Sequence, residues 1–570
     1  MFTLCVANRD YTKWTYQAEQ QAEQQAEQQA EQQAKQQAEQ LKTTFSPLLQ
    51  KLFHGDTIDA SGQLIHSPYR EKATICGVLL TSQKTYGRAG TKMLYKCVPD
   101  ADHLPCFLVP YEEKHIGFQK IRTDKYISFR FKDWAGKHPQ GLLLATFGPT
   151  EEPAAYLAYQ LANKCLNDSM KTLNAMCLRA LRENTLNPLS HGADIEDRRA
   201  FHIISIDPKG CQDIDDALGM RTLPSGQTIL SIYIANVPLM LEYYQLWPYL
   251  TERVATIYLP DQKIPMLPIA LSENVCSLHE KTDRLAFVLD ITLDKFQQFE
   301  KLSYASALIC VEKNYAYDSP ELLKSTAYKQ LHETVKALNE EYAYVDKIQS
   351  SHTVVEYCML RFNHECAKIL QAKKSGIFRA TKKTALYDHL APDLKYILQN
   401  VAGEYCADAK PHELLGLDCY VHLSSPIRRM VDLVNMLDIL EDTVSWSAAA
   451  KQFKEKWQGQ IATINMKTKA GRKLQNEMEL LQTYEKNPDR TYLGYIIEKT
   501  SEAGTTSEAG PSETGTSEGM YTYKVYIAET KMLTKVQSPK EVNNYTTVYF
   551  SAHLFLDEAK MSKKIRLQII

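Results

Sequence analysis

The sequence predicts an α+β multidomain protein, a mixed α/β central domain flanked by small β-barrels. Three observations point there. The 570 residues suffice for about three to five domains. Short β-prone runs crowd residues 41–150 and return over 490–570, while residues 151–195 and 445–485 read as helical. Between these stretches an apolar strand ends in a dense group of aspartates, from Asp207 to Asp216.

Composition narrows the class. Hydrophobic residues make up 44% and charged residues 24%, the balance of a soluble globular protein. Net charge is −2, so bulk charge carries no nucleic-acid signal and any basic surface must be local. The 13 cysteines are scattered, with no Cys-x-x-Cys pair. That argues for reduced thiols in an intracellular protein, cytoplasmic or nuclear, with no disulfide partner and no zinc site. No apolar run reaches about 18 residues, so no membrane span is expected. The N-terminus lacks a basic stretch before a long apolar core, so it is not a secretory signal.

Taken in order, residues 1–40 read as an N-terminal segment that repeats Ala-Glu-Gln-Gln from residue 18. These are good helix formers, yet a period of four drifts about 40° per repeat, so no apolar face accumulates. An exposed or partly helical tether is expected. Residues 41–150 alternate turn residues with short apolar runs: Ala73 to Leu80, Met93 to Val98, Cys106 to Pro110, Tyr126 to Phe131 and Gly141 to Phe147. Regular short strands predict one or two small barrels. Between Lys114 and Lys137 basic residues interleave with Phe118, Tyr126, Phe129, Phe131 and Trp134. Such a pattern serves either as a single-strand-binding track or as barrel core. Residues 151–195 read as a helical connector, with Tyr156 to Leu166 and Met170 to Leu181 at helical spacing. The central domain is expected over 196–487 and a second β-rich domain over 488–570. Within the latter, residues 501–519 are Ser, Glu, Gly and Thr without an aromatic, which predicts a disordered loop.

The chemistry concentrates in Ile206-Asp207-Pro208-Lys209-Gly210-Cys211-Gln212-Asp213-Ile214-Asp215-Asp216-Ala217. Phe201, Ile203, Ile204 and Ile206 read as a buried strand, and Asp207-Pro208 breaks it. Lys209-Gly210 permits a tight turn, and three more aspartates follow. Asp-rich loops are often solvated turns. An EF-hand is excluded by the missing Asp-x-Asp-x-Asp-Gly spacing and twelfth-position Glu. Four carboxylates held close would repel, so their economical partner is a hard divalent cation bound through oxygen.

That stretch resembles the signature of the ribonuclease II (RNB) family of hydrolytic exoribonucleases. Its wording is nearest the eukaryotic branch, which includes the catalytic subunit of the RNA exosome. The resemblance continues through Ile257-Tyr258-Leu259-Pro260, Leu271 to Leu278 and Asp283-Arg284-Leu285-Ala286-Phe287. Ile232-Tyr233-Ile234-Ala235-Asn236-Val237 matches the family's His-Ile-Ala-Asp-Val strand but departs at Tyr233 and Asn236. Phe107-Leu108-Val109-Pro110 and Trp134 to Gly141 resemble the family's second cold-shock domain, and the position of 488–570 fits its S1-type OB barrel. The resemblance implies Asp207, Asp213, Asp215 and Asp216 as the metal carboxylates, with Asp215 also the essential one. The implied cofactor is Mg²⁺, with Mn²⁺ as the alternative.

A second motif is Tyr420-Val421-His422-Leu423-Ser424-Ser425-Pro426-Ile427-Arg428-Arg429-Met430-Val431-Asp432. Ser425 and Pro426 look like a helix N-cap and first turn, whose free N–H groups suit anions. Arg428 and Arg429 offer planar forks to phosphate oxygens, or Arg429 pairs with Asp432. By resemblance, Arg428 helps hold the scissile phosphate. Tyr258 inherits stacking on a base near the 3′ end, worth about 1–3 kcal/mol for any base. Glu356 and Asn363 match polar positions facing the substrate along a channel helix. The second stacking aromatic falls within Tyr315 to Gln349, where the chain is shortened and cannot be aligned.

The reading is a processive, hydrolytic 3′→5′ exoribonuclease that degrades single-stranded RNA to 5′-mononucleotides, alone or within an exosome-like or other RNA-processing complex. Two alternatives stay open: an inactive RNA-binding protein of the same fold, and a nuclease acting on DNA or internally.

Overall fold

The computed structural model describes residues 1–18, 46–71, 73–112, 122–183, 194–382, 403–501, 521–529, 532–557 and 562–570. The Ala-Glu-Gln-Gln repeat beyond Ala18 and nearly all of the 501–519 loop lie outside the described residues. The chain divides into two compact units. One holds Met1–Asn167, Pro488–Thr491 and Phe550–Ile570; the other holds Asp168–Asn487 and Tyr492–Tyr549.

The first unit contains a small sheet and a barrel. Phe2–Val6 and Trp14–Ala18 form a hairpin, and Phe2–Val6 also pairs with Thr57–Ile58. Alternate residues Phe2, Leu4 and Val6 point inward onto Tyr16, Leu52 and Ile58, the period-two pattern of a half-buried strand. The sequence reading passed over these strands because they are short and separated by the polar repeat.

The barrel strands are Ile75–Leu79, Lys92–Pro99, Phe107–Tyr111, Lys125–Asp133 and Gln140–Pro149. Ile75–Leu79 pairs with both Lys125–Asp133 and Lys92–Pro99, so the sheet closes on itself and hides its edges. The apolar runs of the sequence supply the strands. Of the interleaved aromatics, Tyr126, Phe129 and Trp134 are buried and so belong to the core, Phe131 is half-buried, and Phe118 lies outside the described residues. Phe53 stacks on Trp134 at 4.9 Å and on Phe107 at 5.8 Å, plugging one end. The helix Pro153–Asn163 lies on this barrel, with Tyr159 stacked on Tyr126 at 4.4 Å and donating to Asp100 at 3.2 Å. A C-terminal hairpin pairs Phe550 with Ile569 through to Asp557 with Ser562.

The second unit is built on a seven-stranded mixed sheet. Its order is Ile195–Asp197, Phe299–Cys310, Asp283–Leu293, Thr228–Ala235, Asp216–Thr222, Ile203–Asp207 and Lys313–Ala316. The two outermost pairings are parallel and the rest antiparallel. Thr228–Ala235 is buried at every position, as a strand covered on both faces must be. Helix Ser351–Lys373 opens with a capping box between Ser350 and Thr353. Helix Met430–Ile439 is buried at every residue. Together with Ala448–Gln458 and Ile461–Lys486 these helices share the sheet's hydrophobic core. A meander of Thr491–Ser501, Tyr521–Ile527 and Met532–Ser538 follows. Among the described residues no helix is long and apolar enough to cross a membrane.

One ion pair sits inside the sheet. Arg198 grips Asp290 through two bonds of 2.9 and 2.8 Å, and Ser231 donates to the same carboxylate at 2.5 Å. Arg198 is 3% exposed and Asp290 5%. Removing one partner of a buried pair strands the other charge. Asp290→Ala is therefore expected to cost about 3–5 kcal/mol in urea denaturation. Asp283→Ala, which breaks an exposed pair with Arg199, should cost less than about 1 kcal/mol. Equal losses would contradict this account of the sheet.

Candidate active site

The aspartate loop joins two neighbouring strands of the seven-stranded sheet. Ile203–Asp207 delivers Asp207, and Asp216–Thr222 begins with Asp216. Between them Gly210 adopts φ +84°. A Cβ there would meet nothing within 4 Å, so the backbone conformation, not space, calls for glycine. Pinning of the loop is done by backbone and hydroxyl groups. Ser277 Oγ accepts from the Ile214 N–H at 3.0 Å and donates to the Gln212 carbonyl at 2.8 Å. The Ala235 N–H donates to the Asp215 carbonyl, and the Tyr317 N–H to that of Asp207.

Each acid then meets a different environment. Asp215 is 3% exposed. It accepts from the Ile427 N–H at 2.9 Å and from Arg428 Nε at 3.1 Å. Arg428 also donates to Ser425 Oγ at 2.9 Å. Asp213 accepts from Tyr258 Oη at 3.0 Å on one oxygen and from Lys263 Nζ at 2.9 Å on the other. Lys263 also pairs with Glu273 at 2.6 Å. Asp207 Oδ2 is buried with no hydrogen-bond partner.

Burial, with crowding added to it, shows in the proton affinities. Burial pushes Asp207 up to about 6, against a Ser205 hydrogen bond and Arg428, with Asp213 adding to the rise. Burial pushes Asp215 up to about 7 despite Arg428 and the Ile427 N–H. Asp216 is raised well above the usual carboxylate range by burial, with Asp207 and Asp215 adding their repulsion. Arg428 and Lys263 answer the charge of Asp215 and Asp213 directly, whereas no bond from a cationic side chain reaches Asp207 or Asp216 among the described residues.

Tyr258 lies across from Lys263 in the hairpin Ile257–Tyr258/Lys263–Ile264 and is 41% exposed. Asn363 is 3% exposed. Instead of facing a substrate, it accepts from the Leu423 and Ser424 N–H groups at 2.9 and 3.1 Å and donates to Tyr420 and Ser424 hydroxyls. It therefore braces the segment that leads to Arg428. Glu356 is half-buried about two turns earlier on the same helix. Arg429 pairs with the fully buried Asp432 at 2.9 Å, which also accepts from the Ser425 N–H.

The helix expected to begin at Ser425-Pro426 begins instead at Met430, with Arg429 as its extended N-cap. Ser425 starts a turn, its carbonyl accepting from the Arg428 and Arg429 N–H groups. The reason is tertiary. Arg429 bridges Ala255 as a strand would, and the Met430 N–H donates to Val254. The turn's free N–H at Ile427 is thereby aimed at Asp215.

Sequence reasoning missed Lys263, Glu273, Ser277 and Tyr317. Burial raises the Tyr317 hydroxyl, with Asp216 and Asp207 adding, which puts it beside the acids. The Pro260-Asp261 turn between Tyr258 and Lys263 was the readable signal for Lys263, since a hairpin there sets the two opposite each other.

The arrangement fits a divalent cation in part. Asp207 offers a buried, partnerless oxygen and Asp216 repels it, so these two form the electron-rich pair. Among the described residues no group of three or more His, Cys, Asp or Glu is arranged to hold a metal unaided. An ion here would draw its remaining oxygens from water or a substrate phosphate, as Mg²⁺ usually does.

Residues 195–343 match the model of the RNB domain. The chain is similar to Ribonuclease R of Chlamydia pneumoniae, 25% identical over 42% of this chain and 46% of that protein. It is also similar to the Exosome complex exonuclease RRP44 homolog A of Arabidopsis thaliana, 38% identical over 18% of this chain and 11% of that one. The matched segment thus spans about half the length of the Chlamydia Ribonuclease R proteins, at 46–47%. In fold it is similar to Mycoplasma genitalium RNase R in complex with ribose methylated single-stranded RNA. That likeness has a TM-score of 0.63 at 16% identity, covering 89% of this chain and 91% of the other. Yeast Ssd1, described as a pseudonuclease, shares the fold with a TM-score of 0.53 at 13% identity, over 84% of this chain and 67% of that one.

If Asn363 braces the loop, Asn363→Ala should leave two buried N–H groups without acceptors, at about 1–3 kcal/mol each. Hydrogen exchange at the amides of Leu423 and Ser424 should then speed up markedly. Unchanged exchange would mean that Asn363 does not hold that segment.

Proposed function

We propose that this RNB-domain chain is a processive, hydrolytic 3′→5′ exoribonuclease that degrades single-stranded RNA to 5′-mononucleotides with Mg²⁺, or Mn²⁺ in its place. The observation that carries the reading is the bond between Asp215 and Arg428, residues 213 apart in sequence, at the head of a crowded acid loop. A merely solvated Asp-rich turn has no need of a buried carboxylate held by a half-exposed arginine. Asp207, Asp213, Asp215 and Asp216 are the proposed acids of the metal site; Asp207 and Asp216, whose charge is least answered by the protein, are the ones left open to bind the ion directly. Mg²⁺ held there would supply positive charge to a substrate phosphate.

The chain's own groups do the rest. Arg428, 43% exposed on its side chain, keeps one edge on Asp215 and offers the other to charge growing on the phosphate. Tyr258 presents its ring to the terminal base while its hydroxyl is anchored on Asp213, so base seating and the acid loop move together. Stacking and backbone contacts read no base, which suits sequence-independent digestion. Glu356 is proposed to line the RNA path. Asn363 and Arg429 act through the loop they hold. An exosome-like or other RNA-processing complex is the proposed partner and an intracellular compartment the proposed location, on the strength of the relatives' names.

RNA binding without cleavage is the second reading, favoured by the pseudonuclease neighbour. The four intact acids speak against it. End-labelled single-stranded RNA and DNA, incubated with Mg²⁺ or EDTA, decide. The proposal expects ladders of mononucleotides from RNA alone, abolished by EDTA and reduced at least about 100-fold in Asp215→Asn. Binding without cleavage by the wild type selects the second reading, and internal cuts or DNA digestion select a different nuclease.

Tyr258 allows a finer test. In EDTA, Tyr258→Ala should weaken RNA binding by about 1–3 kcal/mol while Tyr258→Phe keeps it. Equal weakening by both would assign Tyr258 to the acid loop alone.

A further inference from the structure

Phosphoryl-transfer sites that use two metal ions clamp both the attacking and the leaving oxygen; we propose that here Lys263 is a built-in cation in the place of the second ion, so that each active site takes a single divalent ion, held at Asp207 and Asp216. This rests on the nuclease reading above and deepens it.

The argument is an account of oxygens. Both oxygens of Asp213 are engaged, one by Lys263 Nζ at 2.9 Å and the other by Tyr258 Oη at 3.0 Å. Both oxygens of Asp215 are engaged as well, by the Ile427 N–H and Arg428 Nε. Of the four acids, only Asp207 has a buried oxygen without any partner. Asp216 stands at the other end of the loop, at the start of the adjacent strand, and the repulsion of Asp207 reaches it. The protein has thus provided for two carboxylates and left two for an ion.

Lys263 is not a loose surface charge. Its side chain is 23% exposed and lies between Asp213 and Glu273, which it reaches at 2.9 and 2.6 Å. Register fixes it there, because the hairpin sets Tyr258 and Lys263 opposite each other and both address Asp213. Glu273 takes up a second contact of the same ammonium, so Lys263 is held by two carboxylates at once. A divalent ion approaching Asp213 would face this positive charge at close range in a half-buried setting, where repulsion is poorly screened. Lysine is a compact point charge with freely rotating donors, well suited to substitute for an ion on a carboxylate.

The test counts metal, with no substrate present. Mn²⁺ bound to the full chain is titrated by electron paramagnetic resonance for the wild type, Lys263→Met and Lys263→Arg. One bound ion is expected in the wild type and in Lys263→Arg, and a second in Lys263→Met. Two ions in the wild type, or one in all three, would overturn the proposal. Should Lys263→Met not fold, Lys263→Gln replaces it with the same expected second ion, and two ions in the wild type overturn the proposal in either case. RNA digestion on the same wild-type preparation separates the two levels. Digestion with two ions bound removes only the role given to Lys263. No Mn²⁺ binding and no digestion removes the nuclease reading, and this inference with it.

Discussion

Mutual repulsion among four carboxylates on one turn is the constraint around which the second unit is arranged. Left alone, the side chains of Asp207, Asp213, Asp215 and Asp216 would splay into water or take up protons. The fold prevents the first by fixing both ends of the loop in adjacent strands and stapling its middle to Ser277. It limits the second by bringing in Arg428 and Lys263. What remains is a pair, Asp207 and Asp216, whose carboxyls burial raises and which repel each other, with one oxygen of Asp207 buried and partnerless.

The partners of the loop come from far along the chain, and this gives the site its unity. The turn Ser425–Arg428 is shaped by Asn363 behind it and by Val254–Thr256 beside it. That same Val254–Thr256 stretch runs directly into the Tyr258 hairpin. A shift of Tyr258 is therefore felt at the arginine through a few backbone bonds, and at Asp213 through one hydroxyl. The proposed chemistry needs base, phosphate and acids in register, and this connectivity supplies it.

Much of this was legible in the sequence. The barrel strands follow their apolar runs, and the acid loop is announced by an apolar strand, Asp-Pro and Lys-Gly in succession. What could not be read is tertiary. Ser425-Pro426 carries good helix-start chemistry, yet the pairing of Arg429 with Ala255 holds the chain extended and delays the helix to Met430. Asn363 reads as a polar residue on an amphipathic helix, and nothing local tells whether such a residue meets water, substrate or a neighbouring backbone. Tyr126, Phe129 and Trp134 read equally as platform or core until a closed barrel makes them core. Lys263 is one lysine among many until the hairpin turns it toward Asp213.

The central claim is that the loop exists to hold a divalent ion at Asp207 and Asp216. Anomalous scattering from a Mn²⁺-soaked crystal tests it most directly. The account expects a peak at about 2.0–2.3 Å from an oxygen of each of these two residues, with Lys263 still on Asp213. An acid loop with no peak, or a peak seated on Asp213 with Lys263 swung away, would contradict it.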